Sequence, residues 1–167
     1  QTRTLRAVID RGLITSLQSQ EGEEFIAPFD PSQYTALELM YRGNEAVPVS
    51  SGEVAQIETF LAGEHRAELR IRNWHADGNL FIWEDEETGD LCIEPSAYAS
   101  RPGVRSCRYN VHGLREDMDF IVPITQGTRM KLSDPAMMHR REVWPLRWEM
   151  GLWIMQGKDT GFWMHCE

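Results

Sequence analysis

Residues 5–17 read LRAVIDRGLITSL, and their periodicity sets the expected fold class. Leu5, Val8, Ile9, Leu13 and Leu17 recur at helical spacing with Arg6, Asp10 and Arg11 between them, which predicts an amphipathic helix. Thr2 or Thr4 is placed to cap it, and Gly12 weakens it by about 1 kcal/mol relative to alanine. The next ordered segment, YTALELMYRG (34–43), alternates like a strand but is rich in Ala, Leu, Glu and Met. The preceding DPS (30–32) is a helix-start signal, so a helix is expected there too. In SSGEVAQIETFLAG (50–63), Ser50 and Glu53 form a capping box. Val54, Ile57, Phe60 and Leu61 then make one apolar stripe, and Gly63 supplies a left-handed stop.

From residue 66 the period changes to two. AELRIRNW (67–74) sets Ala67, Leu69 and Ile71 against Glu68, Arg70, Arg72 and Trp74. HADGN (75–79) predicts a turn at Asp77–Gly78, and EETG (86–89) a second one between LFIWED and DLCIEP. RSCRYNVH, MDFIVPIT, TRMKL and a closing pair of strands follow. The expectation is an α+β fold in one domain of 167 residues. A mainly helical segment (1–63) packs on a strongly curled, mostly antiparallel meander sheet of about seven strands, or a partial barrel (64–167).

Composition narrows the function classes. Hydrophobic residues make up 41% and charged residues 26%, a globular profile. Net charge is −9, from 26 acidic and 17 basic residues. A field of that sign works against nucleic acid and anionic membrane as main partners and leaves protein partners, a second copy included, and small molecules. Acidic residues concentrate in EGEE (21–24) and EDEETGD (84–90), whereas HRREVWPLR (139–147) is basic. Cys92, Cys107 and Cys166 are odd in number and lack any CxxC spacing, which predicts reduced thiols in an intracellular setting. No apolar run approaches the ~18 residues of a membrane span. No signal-peptide pattern opens the chain at Gln1, so a soluble protein is expected.

Four of the six tryptophans fall in WPLRWEMGLWIMQGKDTGFWMHCE (144–167). As a strand, 144–154 puts Trp144, Leu146, Trp148, Met150, Leu152 and Ile154 on an apolar face, with Arg147, Glu149, Gly151 and Trp153 opposite. After QGKDTG, Phe162, Met164 and Cys166 alternate with Trp163, His165 and Glu167. Trp144 and Trp148 are expected in the core, where buried aromatics dominate the energetics. Trp153 and Trp163 are expected on the wet face with Arg147 and His165, and Trp74 on the polar side of its strand beside Arg70 and Arg72. Tryptophan and arginine are enriched at interface hot spots, so these seven residues form the expected binding set. A cover from the protein's own helices, or a bulge that flips the face, would remove it.

Chemical motifs are sparse. GxSxG, HExxH, P-loop, dinucleotide and EF-hand patterns do not occur. Cys92, Cys107, Cys166, His112 and His165 lack zinc-site spacing, and neither a metal nor a cofactor is expected. His75 and Asp77, or His112, Glu116 and Asp119, carry acid–base chemistry in principle, yet Asp-Gly and His-Gly are also ordinary turn dipeptides. The leading expectation is a non-enzymatic interaction or assembly protein that binds another chain or its own copies. The rival is a small-molecule-binding or acid–base domain with a pocket inside the curled sheet. Trp83, Tyr109, His112 and Trp148 would line that pocket, with His75 or Asp119 transferring the proton.

Overall fold

Arg11 and Gly12 both take positive φ, 50° and 82°, and this pair bends residues 5–19 into a hairpin where a helix was expected. The computed structural model describes residues 1–43, 45–49, 56–63, 65–123, 127–135 and 151–165. In it β1 (Leu5–Asp10) pairs antiparallel with β2 (Leu13–Ser19). The register runs Val8↔Ser16 and then Ile9↔Ile14, leaving Thr15 as a bulge. The bulge puts Ile14 and Leu17 on the face of Ala7 and Ile9, so apolar residues from two strands imitate one helical stripe. Leu13 and Leu17, four apart in sequence, end in different cores, and Val8 lies exposed.

The other expected helices fail for related reasons. Asp30 does cap a helix start, its carboxylate accepting the Ser32 N–H at 3.0 Å, but it opens only a 3-10 turn over Pro31–Gln33. The alternation then wins, and β3 (Leu37–Tyr41) buries Leu37, Leu39 and Tyr41. The capping box of Ser50 and Glu53, with Val54, lies outside the described residues. Ile57, Phe60 and Leu61 belong to β5 (Gln56–Ala62). Gly63 does not take positive φ; its N–H donates to the Arg66 carbonyl at 2.8 Å and closes a hairpin turn. The α+β expectation, with its helical segment 1–63, is therefore overturned. Among the described residues the chain is antiparallel β, and Pro31–Gln33 is its one helical element.

The remaining strands are β4 (Ala46–Pro48), β6 (Arg66–Arg72), β7 (Ala76–Glu84), β8 (Leu91–Ala99) and β9 (Val104–Tyr109). They are followed by β10 (Asp119–Val122), β11 (Thr128–Lys131), β12 (Leu152–Gln156) and β13 (Gly161–His165). They do not form one curled meander. The orders are β1-β2, β4-β3-β9, β5-β6-β7-β8 and β11-β10-β12-β13, and none of these sheets closes on itself. The meander breaks after β8, because β9 pairs instead with β3, Cys107 opposite Leu39 and Arg108 opposite Glu38.

Two cores result. The first packs Leu37, Leu39 and Tyr41 of β3 against Leu69, Ile71, Leu80 and Ile82 of β6 and β7, with Leu13 and Val49. The second gathers Ile14, Leu17, Phe25, Ile26, Met118, Met155 and Phe162. Gly78 belongs to the first core and not to a turn. It sits inside β7, where any side chain would collide with Leu37. The turn comes earlier, at Asn73, whose N–H donates to the Ala76 carbonyl at 2.9 Å. The expected EETG turn forms, with Asp85 accepting the N–H groups of Glu87 and Thr88 at 2.9 and 2.8 Å. Among the described residues no helix is long and apolar enough to cross a membrane.

Candidate functional site

β6 alternates as its sequence requires, Leu69 and Ile71 buried, Glu68, Arg70 and Arg72 on the other side. Cross-strand register extends that outer face over the whole four-stranded sheet. Arg72 stands opposite Asp77, which stands opposite Tyr98. Arg70 lies between Glu58 and Asn79, Glu68 is followed by Phe81 and Glu94, and Arg66 is opposite Trp83. Phe60 is the bulge residue where the β5–β6 register shifts between Thr59 and Leu61, and the Arg70 guanidinium rests 3.3 Å from its ring centroid. Arg70 also pairs with Glu68 at 3.0 Å. Phe60 is 59% exposed, Tyr98 is 78% exposed, and Phe81 is exposed between them. Trp74, 83% exposed, sits in the Asn73–His75 turn at one end of this sheet, its ring 4.9 Å from that of His75. The face thus mixes aromatic rings with three arginines (66, 70, 72) and four carboxylates (58, 68, 77, 94).

The remaining expected binding residues do not join it. Trp153 and Trp163 lie on opposite faces of their hairpin, because Trp153 pairs with Met164 while Ile154 pairs with Trp163. Trp153 turns inward, its ring 5.6 Å from Phe120 and 5.9 Å from Phe162, against the second core. Trp163, 55% exposed, shares its outward face with Leu152, Ile154 and the exposed His165. Arg147, Trp144, Trp148 and the basic stretch 139–147 lie outside the described residues, as does Cys166. The expected set is therefore divided, with Arg70, Arg72 and Trp74 at one sheet, Trp163 and His165 at another, and Trp153 packed inside.

The pocket residues of the rival reading are dispersed as well. Trp83 is on the outer face beside Arg66. Tyr109 donates its hydroxyl to the Gly12 carbonyl at 3.0 Å, and burial pushes its phenol pKa up. His112 stacks 4.6 Å from Tyr34 and meets the Thr35 carbonyl at 3.3 Å. His75 uses Nε2 on the Pro48 carbonyl at 2.9 Å. Asp119 is clamped by Lys131 at 2.7 Å and by Arg129, which together hold its carboxyl below the usual range and leave it an anion, not a proton donor. Among the described residues no three His, Cys, Asp or Glu converge as a metal site.

Each acidic stretch puts part of its charge to internal use. Glu24 accepts from the Leu17 N–H at 2.8 Å, the Ile26 N–H at 3.0 Å and the Ser16 hydroxyl, which outweigh burial and hold its carboxyl low. Glu84 accepts the Arg3 N–H at 2.8 Å and meets His65 Nδ1 at 2.7 Å, so the first residues of the chain are tied to the β7–β8 turn. The Arg3 N–H contributes most to holding the Glu84 carboxyl low. Sequence reasoning overlooked Phe60, Phe81 and Tyr98. Phe81 was legible, since it alternates with Leu80 and Ile82, whereas Phe60 depends on a bulge and Tyr98 on the β7–β8 register. Compared with protein-family models, curated proteins and solved structures, the chain matches none.

Proposed function

We propose that the protein is a protein-binding or assembly module that works through the outer face of the β5–β8 sheet. The observation that carries this reading is the set of exposed rings at Phe60, Phe81 and Tyr98 spread over one sheet face with Arg66, Arg70 and Arg72. Aromatic and arginine side chains supply most of the energy at protein interfaces, and aromatic rings left in water have an unfavourable hydration cost that a partner removes. Charge placement supports binding over catalysis. The carboxylates at Glu24, Glu84 and Asp119 are each consumed by internal partners, which leaves them poor proton donors.

The test is a comparison of captured proteins by quantitative mass spectrometry. Wild type and a Tyr98→Arg/Phe81→Arg variant, both immobilised from the same cell type, are compared after the variant's far-UV circular dichroism has been matched to wild type. Species retained by wild type and lost from the variant are the expected result. Identical retention by both would remove this face from consideration.

A further inference from the structure

Which partner would fit this face can be narrowed by its charge pattern, on the footing that the face is a protein-binding one. A chain of net charge −9 repels its own copies on average, and that repulsion is weak where the surface is close to neutral. The outer face of β5–β8 is such a place, three arginines against four carboxylates in a mixed array. The array also has an order. β6 carries Arg66, Arg70 and Arg72, while β7, its neighbour, carries Trp83, Asn79 and Asp77 in the same rows.

We propose that the face binds a second copy of this chain, sheet on sheet, about a two-fold axis that runs along the strands between β6 and β7. That axis lays β6 of each copy over β7 of the other and keeps every row in place. Arg72 then meets Asp77 of the other copy, Arg70 meets Asn79, and Arg66 covers the Trp83 ring as a cation–π pair. A two-fold axis across the strands instead brings Arg66 over Arg72 and Glu68 over Arg70; there Arg72→Asp would strengthen association, so that variant tells the two axes apart. Aligned sheets pack at roughly −30°, an angle that the strand twist supplies. The remaining row sets Glu68 over Phe81 of the other copy, and on the outer strands Gln56 of β5 comes over Tyr98 of β8.

The size of the face sets the strength. Four strands ~4.8 Å apart, with ~7 residues each at ~3.3 Å, span roughly 19 Å by 23 Å. That footprint is smaller than the ~800 Å² per partner of a standard stable interface, so the dimer is concentration-dependent and salt-sensitive.

Sedimentation equilibrium across the micromolar to millimolar range, at low and high salt, tests the arrangement. The mass of wild type is expected to rise from 19.3 kDa towards twice that value on concentration and to fall with salt. Arg72→Asp and Asp77→Arg, both at exposed positions, are each expected to weaken association by roughly tenfold or more, since each sets like charges face to face. An equimolar mixture of the two variants is expected to associate again, because each then supplies the charge the other lacks. The dimer is ruled out if wild type stays at monomer mass into the millimolar range, a result that leaves the capture comparison and the broader binding reading intact. Association that neither variant weakens places the contact elsewhere, and a mixture that fails to regain it overturns the proposed axis.

Discussion

The Glu23 carboxylate accepts both the backbone N–H and the hydroxyl of Thr160, at 2.8 and 2.7 Å, across more than 130 residues of sequence. It also takes the Lys158 N–H at 2.8 Å, so one side chain satisfies the donors of the β12–β13 turn and ties that hairpin to the end of β2. The Thr160 hydroxyl is the main cause of a carboxyl pKa lowered from 4.5 to about 2. A folded-state value below the unfolded one means that the ionised form stabilises the fold. That contribution is complete above about pH 4.5 and is lost as pH falls towards 2.

Glu23→Gln keeps the shape and removes the charge. It is expected to lower stability at neutral pH by about 2 kcal/mol, the worth of charge-assisted hydrogen bonds to a partly buried group. It should also flatten the loss of stability between pH 4.5 and 2. Urea melts of both proteins at several pH values measure this. An unchanged slope below pH 4.5 would mean that another group governs the acid limb.

Gly78 and Gly63 provide a paired test of the sheet assignment. A methyl group at Gly78 collides with Leu37 in the first core, whereas at Gly63 it meets nothing nearer than the Arg66 carbonyl at 3.6 Å. Gly78→Ala is expected to cost about 1–3 kcal/mol as overpacking. Gly63→Ala should stay within about 0.5 kcal/mol. Equal effects at the two sites would contradict the placement of Gly78 inside β7 facing β3.

These two glycines show where sequence reading reaches its limit. Strand content beyond residue 66 was legible because Leu69 and Ile71 alternate with Arg70 and Arg72 on a half-buried sheet. The N-terminal segment was not, since Leu5 and Ile9 are four apart and satisfy a helix and a strand equally, and only the positive φ at Arg11 and Gly12 decides between them. Asp77–Gly78 has turn composition, yet the close approach of Leu37 fixes the glycine instead. Glu23 and Glu24 were legible only as members of an acidic stretch, because their partners, Thr160 and Ser16, are set by tertiary contact. The binding set suffered from parity. Gln156 pairs with Gly161, so residues of like parity on β12 and β13 face opposite ways, and one residue more or less in the turn would reverse that.

Cys107 gives a prediction independent of the interface. Burial raises its thiol from 9.0 to about 11, which leaves roughly 100-fold less thiolate at neutral pH than an unshifted thiol carries. Iodoacetamide labelling at pH 8, followed by peptide mass spectrometry, should find Cys107 modified on the order of 100 times more slowly in the folded protein than in urea. Equal rates would mean that β9 does not cover this side chain against β3.

The hairpin parity itself is open to direct measurement at Trp153 and Trp163. Trp153 packs against Phe120 and Phe162, so Trp153→Ala opens a void beside Met155 and should cost about 3 kcal/mol, a little below the value for a fully buried tryptophan. Trp163 contributes little to that core, and Trp163→Ala should change stability by less than about 1 kcal/mol. Acrylamide quenching separates the two in the same way, since removal of Trp163 takes away an accessible fluorophore and removal of Trp153 a shielded one. If Trp163→Ala proved the more damaging substitution, the hairpin would have to turn its other face to the core, with Trp163 and His165 inward and Trp153 outward beside Met164.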